Sequence, residues 1–559
     1  MATDKIRRFP KDPVLVKLLE SAKLTTGQII HDAYGFDKTY AELLGDIVKT
    51  RDSLRANLPP STLNNHGLLR EEYPYVCALT CGGYEFIVAL FTIRAMGGAC
   101  LPFASGLLAE EAYHFISEAK VTSILMGGSH IDHAGKIRDY VKKQGESDLT
   151  TLLVSSDASP LNDVDIGIDE DLSLAPGGPG VVMFTSGTTG IPKAAVLPRQ
   201  CLVLQRAMNQ GGGALSYQPP HWRGGFASLI NLLIAGMPVY ILKQQAPAED
   251  FWEVLRDHRI TNLIFNPTLL RKIMNVYTKK LNNLQAKKRK HYINGFKNLG
   301  KIKCSGAILA PTVLGFWADL TGLPVQNGYG STECGGGVMQ TDISKPTNNP
   351  RSVGILVTDP PVDVKLANGD HGEVLVKSPW MLTKYIGNEK ATQEAFVEEG
   401  YLKTGDLGHI VDVIGRIPRI LVEDALTNLP YIAEGFTFGI PDHKNRAVCA
   451  ALIRVKKNTV PREEMSLLRL HTDLADALPV YMRPYLLRVL NDEEEVPYTA
   501  SQKPMKRDIL KEFFGVTEFW NMEDPTPGVE VWGSRLALIL PAQGTTLKPW
   551  DWGTSQISG

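Results

Sequence analysis

The sequence predicts an α/β protein: a large N-terminal domain of layered, largely parallel sheets, followed by a smaller α+β domain. Over the first 400 residues, short apolar runs alternate with helical patterns. Buried parallel strands and their crossover helices produce that alternation. No repeat at a solenoid period competes with this reading. Near residue 415 the texture changes, and TGDLGHIVDVIGRIPRI leads into a compact α+β stretch ending around Phe514.

Each element follows in order. Tyr75 to Thr80 is strand-like, Glu85 to Met96 is an apolar-faced helix, Gly97-Gly98 ends it, and Ala99 to Phe103 resumes as a strand. Val121 to Met126, Leu152 to Val154, Val239 to Leu242 and Leu263 to Phe265 read as further short buried strands. Phe226 to Leu242 is the longest nearly apolar run, and it contains Gly236 and Pro238. It is shorter than the roughly 20 residues that cross a bilayer, so it reads as helix, turn and strand in the core. Lys279 to Lys303 is basic and reads as a solvated helix and loop, with phosphate binding the lesser alternative. From Gly515 the chain looks appended, yet it holds Trp520, Trp532, Trp550 and Trp552, half of the eight tryptophans. A flexible tail rarely carries so many large aromatics. Part of Trp532 to Leu540 is therefore expected to pack on a domain as a strand.

Composition narrows the function. Lys plus Arg number 59 and Asp plus Glu 60, so no basic excess points to nucleic acid as a partner. Seven scattered cysteines without a CxxC pair fit a reducing compartment. The N-terminus, MATDKIRRFPKDP, lacks the apolar core of a secretory signal, and QISG at the C-terminus matches no retention or peroxisomal signal. No membrane span and a cytoplasmic location are the expectations.

The chemistry concentrates in VVMFTSGTTGIPK, Val181 to Lys193. An apolar strand enters a loop of Ser, Thr and Gly that closes with Pro-Lys. Gly187 and Gly190 let backbone approach a phosphate chain; Thr185, Ser186, Thr188 and Thr189 offer hydroxyls, and Lys193 a cation. It is not a Walker loop, because G-x-x-x-x-G-K-[ST] is absent.

TSGTTGIPK resembles the phosphate-binding loop of the adenylate-forming superfamily, which includes acyl-CoA synthetases, peptide-synthetase adenylation domains and beetle luciferases. Four further matches follow in family order: Asn327-Gly328-Tyr329-Gly330-Ser331-Thr332-Glu333, YLKTGD at Tyr401 to Asp406, Gly415-Arg416, and Pro497-x-Thr499-x-Ser501-Gln502-Lys503. The resemblance covers roughly residues 25 to 514. It implies that a carboxylate attacks the α-phosphate of ATP and releases pyrophosphate. Thr185 to Lys193 then hold the β- and γ-phosphates. Thr332 donates to the α-phosphate, and Glu333 binds Mg²⁺, a hard ion that prefers oxygen. Tyr329 stacks on adenine beside Gly306 and Ala307, Asp406 accepts the ribose hydroxyls, and Arg416 supports them. Lys503 is the mobile catalytic lysine, with Lys506 the neighbouring candidate. The implied domains are 1–414 for adenylation, 415–419 as hinge, 420–514 as a mobile lid and 515–559 as a tail.

Two departures bear on the second half-reaction, transfer to CoA. The hinge position falls at Pro418, where proline fixes φ. The segment from Gly415 to Gly439 is also about ten residues shorter than the family pattern, a loss of short-loop size. Glu423-Asp424 is read as the remaining acidic end of the missing loop.

His221-Trp222-Arg223-Gly224 lies where relatives carry a His-x-x-Gly segment beside the acyl group. His221 either gates that pocket or is a buried structural histidine. Arg223 either pairs with a second carboxylate of a dicarboxylic acid or faces solvent. The texture most resembles the acyl- and malonyl-CoA synthetase branch. The implied enzyme is an ATP-dependent ligase joining a small carboxylic acid to CoA. Transfer to a carrier protein and a degenerate nucleotide-binding protein stand as alternatives.

Overall fold

The computed structural model describes residues 7–145, 149–161, 165–185, 193–203, 211–343, 352–357, 361–368, 371–409, 419–441, 447–457, 459–475, 477–478, 483–498, 504–516 and 526–532. The chain divides into two compact units, Met1–Asp412 and Val413–Gly559.

A seven-stranded sheet organises the first unit. Its strand order is Lys384–Tyr385, Lys193–Pro198, Pro179–Thr185, Ala99–Phe103, Tyr75–Leu79, Ser123–Met126, Thr150–Leu153. Pairings from Pro179–Thr185 to Thr150–Leu153 are parallel; the two involving Lys193–Pro198 are antiparallel. The predicted strands of this sheet are all present, because each is a short apolar run bounded by turns.

A second, five-stranded sheet runs Ile260–Asn262, Gly213–Ser216, Val239–Ile241, Gln28–Asp32, Phe36–Thr39. Helix Gly83–Ala95 lies between the two sheets and is buried along its whole length. Its side chains Phe86, Ile87, Leu90 and Phe91 join one core with Val76 and Val181 of the first sheet and Ile30 and Val239 of the second. A helix with apolar side chains on opposite faces needs such a double covering. Phe226 to Leu242 forms helix Arg223–Leu233, a turn and strand Val239–Ile241, as its Gly and Pro predict.

A third sheet has the order Ile264–Phe265, Ile302–Ser305, Val325–Ser331, Gly336–Gln340, Ile355–Leu356. A separate aromatic core backs it, in which Phe296 and Trp317 stack at 4.6 Å. A three-stranded antiparallel sheet, Asp363–Leu366, His371–Lys377 and Leu402–His409, completes the main layers.

The second unit holds a four-stranded sheet, Ile432–Pro441, Ala447–Val455, Leu486–Val489, Val529–Val531. Helix Arg419–Asn428 packs on its first strand. Glu423 and Asp424 therefore sit inside a helix, where Glu423 accepts a 3.5 Å contact from Thr437 Oγ1, and they are not the end of a loop. Among the described residues of the tail, Val529–Val531 forms a strand just before the predicted stretch and pairs antiparallel with Leu486–Val489. Trp532 stacks on His471 at 3.6 Å, which anchors this strand. Residues 533–540, and the hinge residues Gly415, Arg416 and Pro418, lie outside the described residues.

Candidate active site

Two elements deliver the ends of the Ser/Thr/Gly loop. Thr185 closes strand Pro179–Thr185, Lys193 opens strand Lys193–Pro198, and the two are register partners. The loop is thus the connection of a β-hairpin rooted in the main sheet. Its interior residues Ser186, Gly187, Thr188, Thr189 and Gly190 fall outside the described residues, as do Arg416 and Lys503.

The edge strand Lys384–Tyr385 lies alongside, with Tyr385 opposite Ala195. It carries a residue that sequence reasoning does not single out. The Lys193 ammonium stands 5.2 Å from the centroid of the Tyr385 ring, a cation–π contact. The Tyr385 hydroxyl lies 3.5 Å from Glu333 Oε1, and Leu382 N–H donates to the Glu333 carbonyl at 2.7 Å. Burial, reinforced by the Glu333 charge, pushes the Tyr385 phenol well above its ordinary range, so it stays protonated. Tyr385 thereby links the loop lysine to the carboxylate. A lone aromatic in a two-residue strand leaves no periodic signal.

Strand Val325–Ser331 and the turn after it supply the next group. Ser331 Oγ accepts from Cys334 N–H at 3.2 Å, and Gly335 N–H donates to the Thr332 carbonyl at 2.9 Å. This turn presents Thr332 and Glu333, both half-buried. Position 330 admits only glycine without backbone movement, since a Cβ there would stand 2.0 Å from the Gly336 carbonyl oxygen. Gly328 pairs with Ser305, at the end of strand Ile302–Ser305. Gly306 and Ala307 follow immediately, exposed, and Gly306 has φ +91 with open space where a Cβ would be.

Tyr329 Oη donates to Asp406 Oδ2 at 2.8 Å, joining the YGSTE and TGD segments. Asp406 is exposed, within strand Leu402–His409, where the pairing shifts register, Gly405 takes φ +73 and Thr404 Oγ1 donates to the Val374 carbonyl at 2.8 Å. Burial and then Asp406 hold the Tyr329 phenol protonated. The Asn327 side-chain oxygen is buried and has no donor among the described residues. An exocyclic amine such as adenine's would satisfy it. Thr185, Lys193, Thr332, Glu333, Tyr329 and Asp406 all belong to the first unit. Among the described residues no three His, Cys, Asp or Glu side chains cluster to hold a metal. Glu333 with phosphate oxygens is a donor set that suits Mg²⁺, which binds through one or two carboxylates plus substrate phosphates.

His221 is buried and stacks edge-on against Trp222 at 5.5 Å. Burial pushes its pKa down to about 4, so the ring is neutral near pH 7. Arg223 is buried too, which overturns the solvent-facing reading. Its Nε donates to the Gly335 carbonyl at 2.7 Å and its Nη2 to the Cys201 carbonyl at 3.1 Å. Charged side chains are rarely buried, so residue type alone favours the surface.

Comparison with known proteins agrees with these features. The family model described as AMP-binding enzyme matches residues 61–386. The acyl-CoA ligase oryP of Aspergillus oryzae is 30% identical over 96% of this chain and 98% of its own. A malonate–CoA ligase of Arabidopsis thaliana is 24% identical, covering 76% of each. Among solved structures, the o-succinylbenzoate CoA synthetase of Bacillus subtilis with its acyl-adenylate intermediate aligns with a TM-score of 0.67 at 20% identity, over 88% of this chain and 97% of that one. The family model spans more than half of the chain, and an acyl-CoA ligase is 30% identical to it across nearly its whole length; the chain belongs to the AMP-binding, adenylate-forming enzymes.

Proposed function

We propose that this protein activates a small carboxylic acid with ATP and transfers the acyl group to CoA. In the first step a carboxylate oxygen attacks the α-phosphorus, forming the acyl-adenylate and breaking the bond to pyrophosphate. In the second the CoA thiol, losing its proton, attacks the acyl carbonyl and AMP leaves. The observation that carries the reading is the chain of contacts Lys193–Tyr385–Glu333 beside the Tyr329–Asp406 pair. A cation, a metal-binding carboxylate, an aromatic face and a diol acceptor are what a nucleoside triphosphate requires.

Thr185 to Lys193 hold the outer phosphates, Thr332 the α-phosphate, and Asn327, Tyr329, Gly306 and Ala307 the adenine. Asp406 and Arg416 take the ribose. Bound Mg²⁺ at Glu333 supplies charge neutralisation on the phosphoryl oxygens. Neutral His221 forms part of the acyl wall. Residues 415–419 act as hinge, and Lys503 on the C-terminal domain positions carboxylate and α-phosphate.

Acid-dependent exchange of pyrophosphate into ATP, run beside CoA consumption over an acid panel, tests both halves. Exchange without CoA use favours a carrier protein or another acceptor. ATP binding without acid-dependent pyrophosphate release would indicate a nucleotide-binding protein that no longer catalyses.

A further inference from the structure

We infer that Arg223 is an anion-binding, specificity-determining residue, and that the acid this enzyme activates carries a second carboxylate. The inference rests on the adenylation reading and names its substrate class. Four arginines are buried among the described residues: Arg51, Arg94, Arg199 and Arg223. Arg51 pairs with Asp52, and Arg94 and Arg199 share Asp12. Arg223 alone of the four has no carboxylate among the described residues. Two backbone carbonyls hold Nε and Nη2, while Nη1 is buried and donates to nothing among the described residues. A buried guanidinium without a counter-ion is costly, and an arriving anion removes that cost.

The location fits the acyl chain. Arg223 Nε is bonded to Gly335, whose own N–H closes the turn on Thr332. The activated carboxylate must end near Thr332, and the guanidinium lies within one turn of it. Glycine at 336 lets the backbone lie close against the guanidinium. A Cβ on Gly336 would lie 3.3 Å from Arg223 Nη2, and one on Gly337 would meet nothing within 4 Å. A planar fork of N–H donors matches a carboxylate, and the short span from Thr332 favours a short diacid.

The test is pyrophosphate release by the full-length enzyme on matched sets: malonate, succinate and glutarate, each against its monomethyl ester and the monoacid of equal chain length. The expected kcat/KM ratio is at least about tenfold in favour of a diacid, the value of one charge-assisted hydrogen bond. Arg223→Met should collapse that ratio toward one, and Arg223→Lys should retain part of it, with melting curves confirming fold. Should the Met variant not fold, the native ratio decides. Monoacids or half-esters used as well as every diacid overturn the inference and leave the adenylation reading intact. Diacid binding by calorimetry that vanishes in Arg223→Met, with no pyrophosphate release from any acid, sinks the adenylation reading and keeps the anion site.

Discussion

Among the described residues, Asp406 accepts a side-chain hydrogen bond from Tyr329, and both belong to the proposed nucleotide site. Asp406→Ala should weaken ATP binding far more than acid binding, by about 1.5–3 kcal/mol, the worth of a charge-assisted hydrogen bond. An unchanged ATP affinity by calorimetry in a folded variant would remove Asp406 from the site. Tyr385 permits a finer dissection. Tyr385→Phe keeps the ring under Lys193 and drops the hydroxyl near Glu333. The apparent Mg²⁺ requirement for ATP binding should rise several-fold, by about 1 kcal/mol, whereas Tyr385→Leu should also lower affinity at saturating Mg²⁺. His221 gives a pH signature. Its folded pKa of about 4 lies below the ordinary 6.5, so the unfolded chain binds more protons between those values. Its neutral burial therefore stabilises fully above pH 6.5, and that contribution is lost as pH falls toward 4. The stability difference between native protein and His221→Leu should change with pH across that window and stay flat above it. Denaturant titrations at several pH values read it directly. Arg223 shows where the sequence misleads at this scale: its type says surface, and only its two carbonyl partners show otherwise.

Elements were legible where apolar pattern and turn chemistry agreed. Strands such as Tyr75–Leu79 and Ala99–Phe103 announce themselves as apolar runs between glycines. The strand ends at Thr185 and Ser331, where the proposed phosphate loop and the following turn begin, were legible through motif order. Lys384–Tyr385 was not, because two residues carry no period, and the strand exists only through pairing with Lys193–Pro198. A tail strand, Val529–Val531, was not singled out, while the expected stretch at RLALIL lies outside the described residues. Gly330→Ala should destabilise by more than about 2 kcal/mol, because its Cβ meets backbone 2.0 Å away that no rotamer change relieves. Denaturant midpoints of the two proteins measure it. The proposed transfer to CoA should be the weak step. Helix Arg419–Asn428 begins directly at the proposed hinge, with little chain left to form a loop shaping a thiol path. Acyl-adenylate should accumulate in single-turnover quench experiments with CoA present, and adenylate consumed as fast as it forms would refute this. Lys503→Ala should slow adenylate formation while preserving ATP binding; activity lost in Lys506→Ala instead would shift the assignment by one basic residue.

At the scale of the whole molecule, near-neutral charge and two compact units fit an enzyme acting on small anions. No helix among the described residues is long and apolar enough to cross a membrane. The first unit has one further property. Helix Gly83–Ala95 serves two sheets at once, its faces shared between Val76 and Val181 on one side and Ile30 and Val239 on the other. Neither sheet can detach without stripping a largely apolar, buried helix of half its cover. The two layers should therefore open as one cooperative body, and the helix amides should exchange with deuterium only through unfolding of that whole body. In native-state exchange at increasing denaturant, protons of this helix and of strands Tyr75–Leu79 and Val239–Ile241 should merge onto a single isotherm. Strands Ile355–Leu356 and Lys384–Tyr385, two residues each at sheet edges, should exchange by smaller, denaturant-insensitive fluctuations. The rigidity of the proposed nucleotide site would then originate in a helix that contributes none of its proposed residues.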